Sequence, residues 1–351
     1  MNKTAKREEK MSVRFKILKT VYKLSGMKRM FGLPQEKLFA KAAQLNAKRG
    51  FAVPTDKKHV YTDVRVGERG HCLKIRQPGT QRDKAMLFLF GGGMVIGPDA
   101  GDRKAACKLA FPCQLDVWMP WYPLCPKYNI KDAVDMVLET YRLMLREYKA
   151  ENIVFCGFSS GASLAVCTCL HNLRQDKPMP NPACILASSP GGVPHCEEEK
   201  REMERLGRRD IMIDPAFMEL MKTVLSGGRT IPEYLQYPCT ADFTGMPPIH
   251  FWWGSDEVLY AEAPYYLESC KKAGVEYTVV VGEGMCHCYA MLDIFPEGKA
   301  AQEQMHSYSP AEGRSCKRGG GILNCEQGQS NVLGSFRKDL CIVHETQRER
   351  L

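Results

Sequence analysis

Short apolar runs recur along most of the chain and alternate with amphipathic stretches. Eight runs have the length and composition of strands: residues 59–66, 72–78, 84–90, 115–123, 152–157, 183–189, 248–254 and 276–282. Beyond the third run, apolar residues return at helical spacing over 102–111, 131–149, 160–174, 260–273 and 297–307. Strands that alternate with helices predict an α/β fold, with a mainly parallel central sheet and helices on both faces.

Two further helices are predicted before the first strand. One covers residues 11–25, with a repeated apolar stripe and basic residues elsewhere around the wheel; the stripe comprises Val13, Ile17, Leu18, Val21 and Leu24. The other follows Pro34 and ends near Gly50. A basic amphipathic helix can lie on a membrane surface. We favour the alternative, in which the stripe of the first helix packs against the rest of the protein.

Two segments depart from the strand–helix alternation. Residues 195–240, between the sixth and seventh strands, form an insertion with two short helical patterns, which we expect to cover one edge of the strand ends. Residues 309–351 hold clusters of Gly, Ser and Cys without a sustained period, a pattern typical of a poorly ordered tail.

Composition fits one large globular domain, since 44% of the 351 residues are hydrophobic and 25% are charged. The net charge is +9, but residues 1–30 contain ten Lys and Arg against only Glu8 and Glu9. The remainder is nearly neutral, so we expect no nucleic-acid partner.

The chain has 16 cysteines but no C-x-x-C pair. No uninterrupted apolar segment of signal-peptide type follows the N-terminal charges, and no run of about 18 apolar residues could span a bilayer. We therefore predict a cytoplasmic protein whose thiols stay reduced and mostly pack as small hydrophobic groups.

The sequence "GFSSG", residues 157–161, is a G-x-S-x-G motif directly after an apolar strand and directly before a helix. In this context the motif forms a strained turn that exposes the hydroxyl of its central residue. Ser159 is therefore the candidate nucleophile. Ser160, one position further on, is less suited to that role.

A serine nucleophile needs a base held by a third group. His287 lies in the loop after the last predicted strand, and Asp256 follows the strand before it. The order nucleophile, acid, base agrees with doubly wound hydrolases. We predict His287 as the base and Asp256 as its carboxylate, with the neighbouring Glu257 as the rival acid.

Three consecutive glycines, Gly91–Gly93, follow the strand 84–90. Bare backbone can approach an oxyanion closely, so the N–H groups of Gly91, Gly92 and Ser160 are candidate oxyanion donors. Phosphate binding is the alternative for such a loop, but neither G-x-x-x-x-G-K-[ST] nor G-x-G-x-x-G is present.

Together, "FGGGMVIG", "GFSSGASLA", "GMPPIHFWWGSDEVLYAEA" and "VVVGEGMCHCYAM" resemble the hormone-sensitive-lipase-like branch of the α/β-hydrolases over residues 84–308. The resemblance implies a hydrolase domain over 56–308, roofed by a cap from residues 1–55 and 195–240. It also implies hydrolysis of small-molecule carboxylic esters with short acyl chains, with the catalytic and oxyanion roles given above. It implies no metal or organic cofactor. Relatives of this kind often form homodimers through the last edge strand, so a homodimer is possible. One departure is Phe90, where the family usually has His.

Three alternatives remain open from the sequence. They are a membrane-associated lipase anchored by the basic N-terminal helix, a non-catalytic ligand-binding relative, and an amide or peptide hydrolase that shares the acyl-enzyme chemistry. The cysteines on either side of His287 are predicted to pack. Adjacent side chains of an extended segment point to opposite sides, so Cys286, His287 and Cys288 could not together bind one zinc ion.

Overall fold

The computed structural model describes residues 11–310, so the predicted tail lies, from residue 311 onward, outside the described residues. All eight predicted strands are confirmed. They are β1 (Val60–Val66), β2 (Gly70–Arg76), β3 (Ala85–Leu89), β4 (Asp116–Pro120), β5 (Ile153–Phe158), β6 (Cys184–Ser188), β7 (Ile249–Gly254) and β8 (Tyr277–Gly282).

The strands form one sheet in the order β1-β2-β4-β3-β5-β6-β7-β8. The pairs β1–β2 and β2–β4 are antiparallel, and every later pair is parallel. Because parallel strands all end at the same edge of a sheet, the loops that follow β3, β5, β6, β7 and β8 meet there. The predicted mostly parallel α/β fold is confirmed.

The helices also follow the predicted pattern. They are α1 (Val13–Ser25), α2 (Met27–Phe31), α3 (Gln35–Ala47), α4 (Ala100–Ala110), α5 (Ile130–Met144), α6 (Ser160–Asn172), α7 (Glu197–Gly207), α8 (Pro215–Ser226), α9 (Glu233–Gln236), α10 (Ala263–Ala273) and α11 (Pro296–Ser307). Contacts join α4 to α11 and α5 to α6. None of the helices within residues 11–310 is long and apolar enough to cross a membrane.

The central strands are buried along their whole length. Every residue of β3, β5, β6 and β7 is shielded from solvent, and α6 is buried over nearly all of its residues. Strands covered on both faces need continuous apolar runs, which the sequence supplies. These strands are a rigid support for the loops at their carboxyl ends, whereas β8 lies at the edge of the sheet. The homodimer expected through that edge stays a prediction.

Helix α1 is oriented differently from the prediction. Phe15 is buried against Phe295, with ring centroids 5.0 Å apart. Most of the predicted packing stripe is instead exposed, at 71% for Val13, 60% for Ile17, 55% for Val21 and 83% for Leu24. The prediction that this stripe packs against the protein is therefore wrong for all its members except Leu18, because the aromatic side of the helix occupies the contact.

The N-terminal helices contact the insertion. The Phe31 ring packs on Phe217 of α8, with centroids 4.8 Å apart, and the Lys28 ammonium donates to the carbonyl of Asp210 at 2.9 Å. The two segments expected to form a cap thus touch each other, while their exact boundaries at residues 1–55 and 195–240 stay predictions.

Candidate active site

Ser159 occupies a strained turn between β5 and α6, with φ 55° and ψ −130°. Its neighbours in the motif are glycines for steric reasons. A Cβ on Gly157 would lie 2.3 Å from the carbonyl oxygen of Gly161, and a Cβ on Gly161 would lie 2.2 Å from that of Leu89. The close approach of β3, β5 and α6 therefore requires both glycines and fixes the serine at the carboxyl edge of the sheet.

His287 lies beside this serine, 128 positions further along the chain. It belongs to the loop after β8, and its Nε2 is 2.9 Å from Ser159 Oγ. The ring is buried. The predicted nucleophile and base are thus brought within hydrogen-bond distance of each other.

The carboxylate against His287 is that of Glu257, not Asp256. Glu257 Oε2 is 2.5 Å from His287 Nδ1. Asp256 points the other way, towards Lys19 Nζ at 2.9 Å and Arg209 Nε at 3.4 Å. Asp256 lies in the turn after β7, whereas the backbone of Glu257 is extended with φ −122° and ψ 147°, and the two carboxylates therefore face different partners. The expectation for Asp256 is corrected to Glu257.

Ser189, which the sequence does not single out, links Glu257 to the loop that carries His287. Its hydroxyl donates to Glu257 Oε1 at 2.9 Å and accepts from the Cys288 N–H at 3.0 Å. The Gly254 N–H also donates to Glu257 Oε1, at 2.7 Å. The position of Ser189 directly after β6, between the strands that lead to the nucleophile and the acid, is a signal that could have identified it.

Burial and neighbouring groups shift the pKa values of both Glu257 and His287. Burial raises the pKa of the Glu257 carboxyl, although the hydrogen bond from His287 opposes the shift. Burial lowers the pKa of His287, but the Cys288 sulfur and the Glu257 carboxylate outweigh it, and the net pKa is well above the usual value. Cys288 Sγ lies 3.3 Å from His287 Nε2, so this thiol borders the reacting atoms.

The glycine loop after β3 lies next to the nucleophile. A Cβ on Gly91 would be 3.2 Å from the Ser159 Cβ. The N–H groups of Gly91, Gly92 and Ser160 donate to no protein acceptor within residues 11–310 and remain available to an oxyanion. Met94 N–H donates to Ser160 Oγ at 3.2 Å, so the Ser160 side chain also anchors the loop.

Phe90 supports this loop by stacking. Its ring lies 4.0 Å from that of Tyr122 at an interplanar angle of 5°. The Tyr122 hydroxyl donates to the carbonyl of Phe90 at 2.6 Å. An aromatic stack and a backbone hydrogen bond therefore fix Phe90, which replaces the histidine that the family usually has here.

A second cluster of polar side chains is formed by residues of the insertion together with Glu262. Ligand atoms of Glu199, Cys239 and Glu262 are within 4.8 Å of one another, and those of His195, Cys196 and Glu199 likewise. Burial raises the pKa of Cys239 and of Glu262 well above their usual values. These shifts favour the protonated forms of Cys239 and Glu262.

The chain is similar to known proteins over most of the described fold. The model of the family described as alpha/beta hydrolase fold matches residues 86–291. The chain is 29% identical to an acetyl-hydrolase of Streptomyces hygroscopicus over 237 residues, which are 67% of this chain and 78% of the relative. It is 26% identical to an esterase of Acinetobacter venetianus over 239 residues, 67% of this chain and 77% of the relative.

Solved structures extend the similarity to most of the chain. An esterase of the bacterial hormone-sensitive lipase family superposes with a TM-score of 0.70 at 22% identity, over 85% of this chain and 97% of that one. An esterase/lipase from an uncultured bacterium gives 0.71 at 22% identity, over 85% and 98%. The expected resemblance to hormone-sensitive-lipase-type proteins is confirmed, and because the family model covers more than half of the sequence, the chain belongs to the α/β-hydrolase family.

Proposed function

We propose that the protein hydrolyses small carboxylic esters with short acyl chains through an acyl-enzyme on Ser159. The observation that carries the proposal is the continuous chain of hydrogen bonds from Ser159 Oγ through His287 to Glu257. The curated relatives named as an acetyl-hydrolase and an esterase support the same chemistry.

The proposed reaction proceeds in two halves. Ser159 Oγ attacks the ester carbonyl while His287 Nε2 takes its proton, and the imidazolium then protonates the departing alcohol. The N–H groups of Gly91, Gly92 and Ser160 stabilise the negative charge on the carbonyl oxygen. Water, activated by His287, then hydrolyses the acyl-enzyme. Glu257 orients the imidazole throughout and stabilises its charged form.

The preference for short acyl chains is supported by the insertion. A Cβ on Gly93 would lie 2.6 Å from the Phe217 ring, so an aromatic side chain of α8 sits directly against the glycine loop. A bulky ring at this place takes up space beside the glycine loop that carries the proposed oxyanion donors.

Initial rates with p-nitrophenyl esters from acetate to palmitate test the proposal. We expect the highest kcat/KM with the shortest chains and a loss of about 10⁴-fold or more in kcat for Ser159→Ala. Ser160→Ala is the matched control: it keeps the backbone N–H and loses only the contact with Met94 N–H, so it should lower kcat far less than Ser159→Ala. Full activity of Ser159→Ala, or ligand binding by the wild type without any hydrolysis, would contradict the proposal.

A further inference from the structure

Helix α1 presents an apolar stripe to solvent. At 100° per residue, Val13, Ile17, Val21 and Leu24 lie within an arc of about 80°. All four are among the most exposed large hydrophobic residues of the described chain. The opposite side, which carries Phe15, is already fixed to the protein, so the stripe has no partner within residues 11–310.

Positive charges border this stripe on both sides. Lys16 and Lys23 lie on one flank and Arg14 on the other, and all three are exposed. They form no ion pair within residues 11–310. Residues 11–30 contain six Lys and Arg and neither Asp nor Glu. An apolar band between two cationic flanks is the pattern of a helix that lies in a membrane–water interface.

We propose that the exposed face of α1 docks the protein on an anionic lipid surface, with the helix in the plane of the interface. The apolar side chains would enter the boundary between headgroups and acyl chains, and the flanking cations would contact lipid phosphates. Pairing with a second copy through the same face is disfavoured, because it would bring two strongly positive segments together. The docking does not depend on hydrolytic activity.

The inner side of α1 connects this face to the active site. Lys19 forms the 2.9 Å ion pair with Asp256, the neighbour of Glu257. A Cβ on Gly284 would lie 2.9 Å from Met11 Sδ, so the start of this segment touches the loop that carries His287. A helix with its side chains is about 10 Å thick. Docking would therefore hold the catalytic loop within about one helix diameter of the lipid surface.

Flotation of the full-length chain with vesicles tests the inference. We expect binding to phosphatidylglycerol vesicles, little binding to phosphatidylcholine vesicles, and release from the former as salt concentration rises, because the electrostatic part of the attraction is screened. A single helix of 13 residues should bind reversibly, so dilution should also release the protein.

Matched variants separate the apolar and the charged contributions. The quadruple change Val13→Ser, Ile17→Ser, Val21→Ser and Leu24→Ser should lower the partition coefficient about tenfold or more. Its control is Val53→Ser with Val60→Ser, since these residues are 42% and 39% exposed and lie outside α1.

The charge variant is Lys16→Gln with Lys23→Gln, which should also lower partition about tenfold. Its control is Lys271→Gln with Lys272→Gln, which removes two exposed lysines from α10 and should change the partition coefficient little. Circular dichroism and thermal unfolding of each variant check that the fold is kept.

Three results would overturn the inference. The first is a wild-type chain that fails to float with phosphatidylglycerol vesicles, and the second is a quadruple variant that floats as well as the wild type. The third is a stable dimer, seen by analytical ultracentrifugation, that dissociates in the quadruple variant, which would assign the face to a second copy. Vesicle binding needs no ester hydrolysis, so its outcome is independent of whether the proposed function holds.

Discussion

Two adjacent carboxylates, Asp256 and Glu257, have opposite surroundings. Glu257 is fully buried, and its oxygens accept from His287, Ser189 and the backbone of Gly254. Asp256 lies nearer the surface in an ion pair with Lys19. A buried carboxylate is tolerated only when its oxygens are satisfied, and here the satisfying groups also orient the imidazole.

This difference predicts opposite effects of two isosteric substitutions. Glu257→Gln should lower kcat by about 10² to 10⁴-fold, because an amide can hold the wrong tautomer of His287 and cannot stabilise the imidazolium. Asp256→Asn should leave kcat within about threefold, because it removes the ion pairs with Lys19 and Arg209, which do not touch the imidazole. Steady-state kinetics with p-nitrophenyl acetate measures both.

The reverse pattern, with Asp256→Asn inactive and Glu257→Gln active, would restore Asp256 as the acid. Unfolding curves of the two variants show whether a loss of activity comes from a loss of fold.

The raised pKa of His287 predicts the pH dependence of the reaction. Only the neutral imidazole can accept the proton of Ser159, so kcat/KM should rise with pH through an apparent value above 6.5. Cys288 is one of the groups that raise this pKa. Cys288→Ala should therefore move the rising limb to lower pH, which a pH–rate profile measures.

A limb that stays in place or moves to higher pH in Cys288→Ala would show that the thiol does not act on His287. Cys286→Ala is the matched control. Cys286 is buried, as the packing prediction requires, and its sulfur is not bonded to the imidazole.

At the scale of elements, α1 has two apolar sides with different roles. One side, with Phe15 and Tyr22, packs over the segment that follows β8. The other faces solvent. A short helix of this kind is stable mainly through its packed side, since isolated helices of about 13 residues are marginal in water.

The two sides should respond differently to truncation. Phe15→Ala should lower the free energy of unfolding by about 3 kcal/mol or more, because it empties a buried site against Phe295. Ile17→Ala should change it by less than about 1 kcal/mol, since that side chain is already 60% exposed. Urea unfolding measures both, and equal losses would mean that the outer side is covered in solution.

At the scale of the whole molecule, the buried Glu199 of the insertion lies close to the buried Glu262, which belongs to the turn after Glu257. Glu262 accepts a hydrogen bond from Gly192 N–H, and Glu199 from His195 N–H at 2.8 Å. Glu199 Oε1 has no hydrogen-bond partner among the described residues. Burial and the neighbouring Glu199 raise the pKa of Glu262, so a proton is favoured between the two acids.

This pair predicts how stability depends on pH. The pKa of the Glu262 carboxyl is raised in the folded state above its value in the unfolded chain, about 4.5. Such a carboxyl contributes fully to the stability of the fold below about pH 4.5, and the contribution is lost as the pH rises through the folded-state pKa. Glu262→Gln mimics the protonated form, so it should raise the melting temperature at neutral pH and flatten the decline of the melting temperature as pH rises above about 4.5. Thermal unfolding across that range measures the effect, and a destabilised Glu262→Gln chain would instead indicate that the charged carboxylate is needed.

The sequence by itself determined the strands and most helices, and it singled out Ser159 and His287 as the predicted nucleophile and base, which the fold brings within hydrogen-bond distance. Periodicity and the G-x-S-x-G turn are local properties, so strand β5, the strained Ser159 and the post-strand position of His287 can be read without knowing their neighbours. The order of the strands in the sheet is decided by the tertiary structure, because it depends on pairing between segments far apart in sequence.

Only the tertiary structure decided which acid faces His287, how Ser189 connects that acid to the loop of His287, and which side of α1 is buried. Each depends on groups far apart in sequence, such as Lys19 and Asp256, which are separated by 237 positions. Local pattern gives the spacing of side chains but not the direction in which an element presents them. That direction is set by what packs against the element, which for α1 is Phe295 and for Glu257 is the buried end of the sheet.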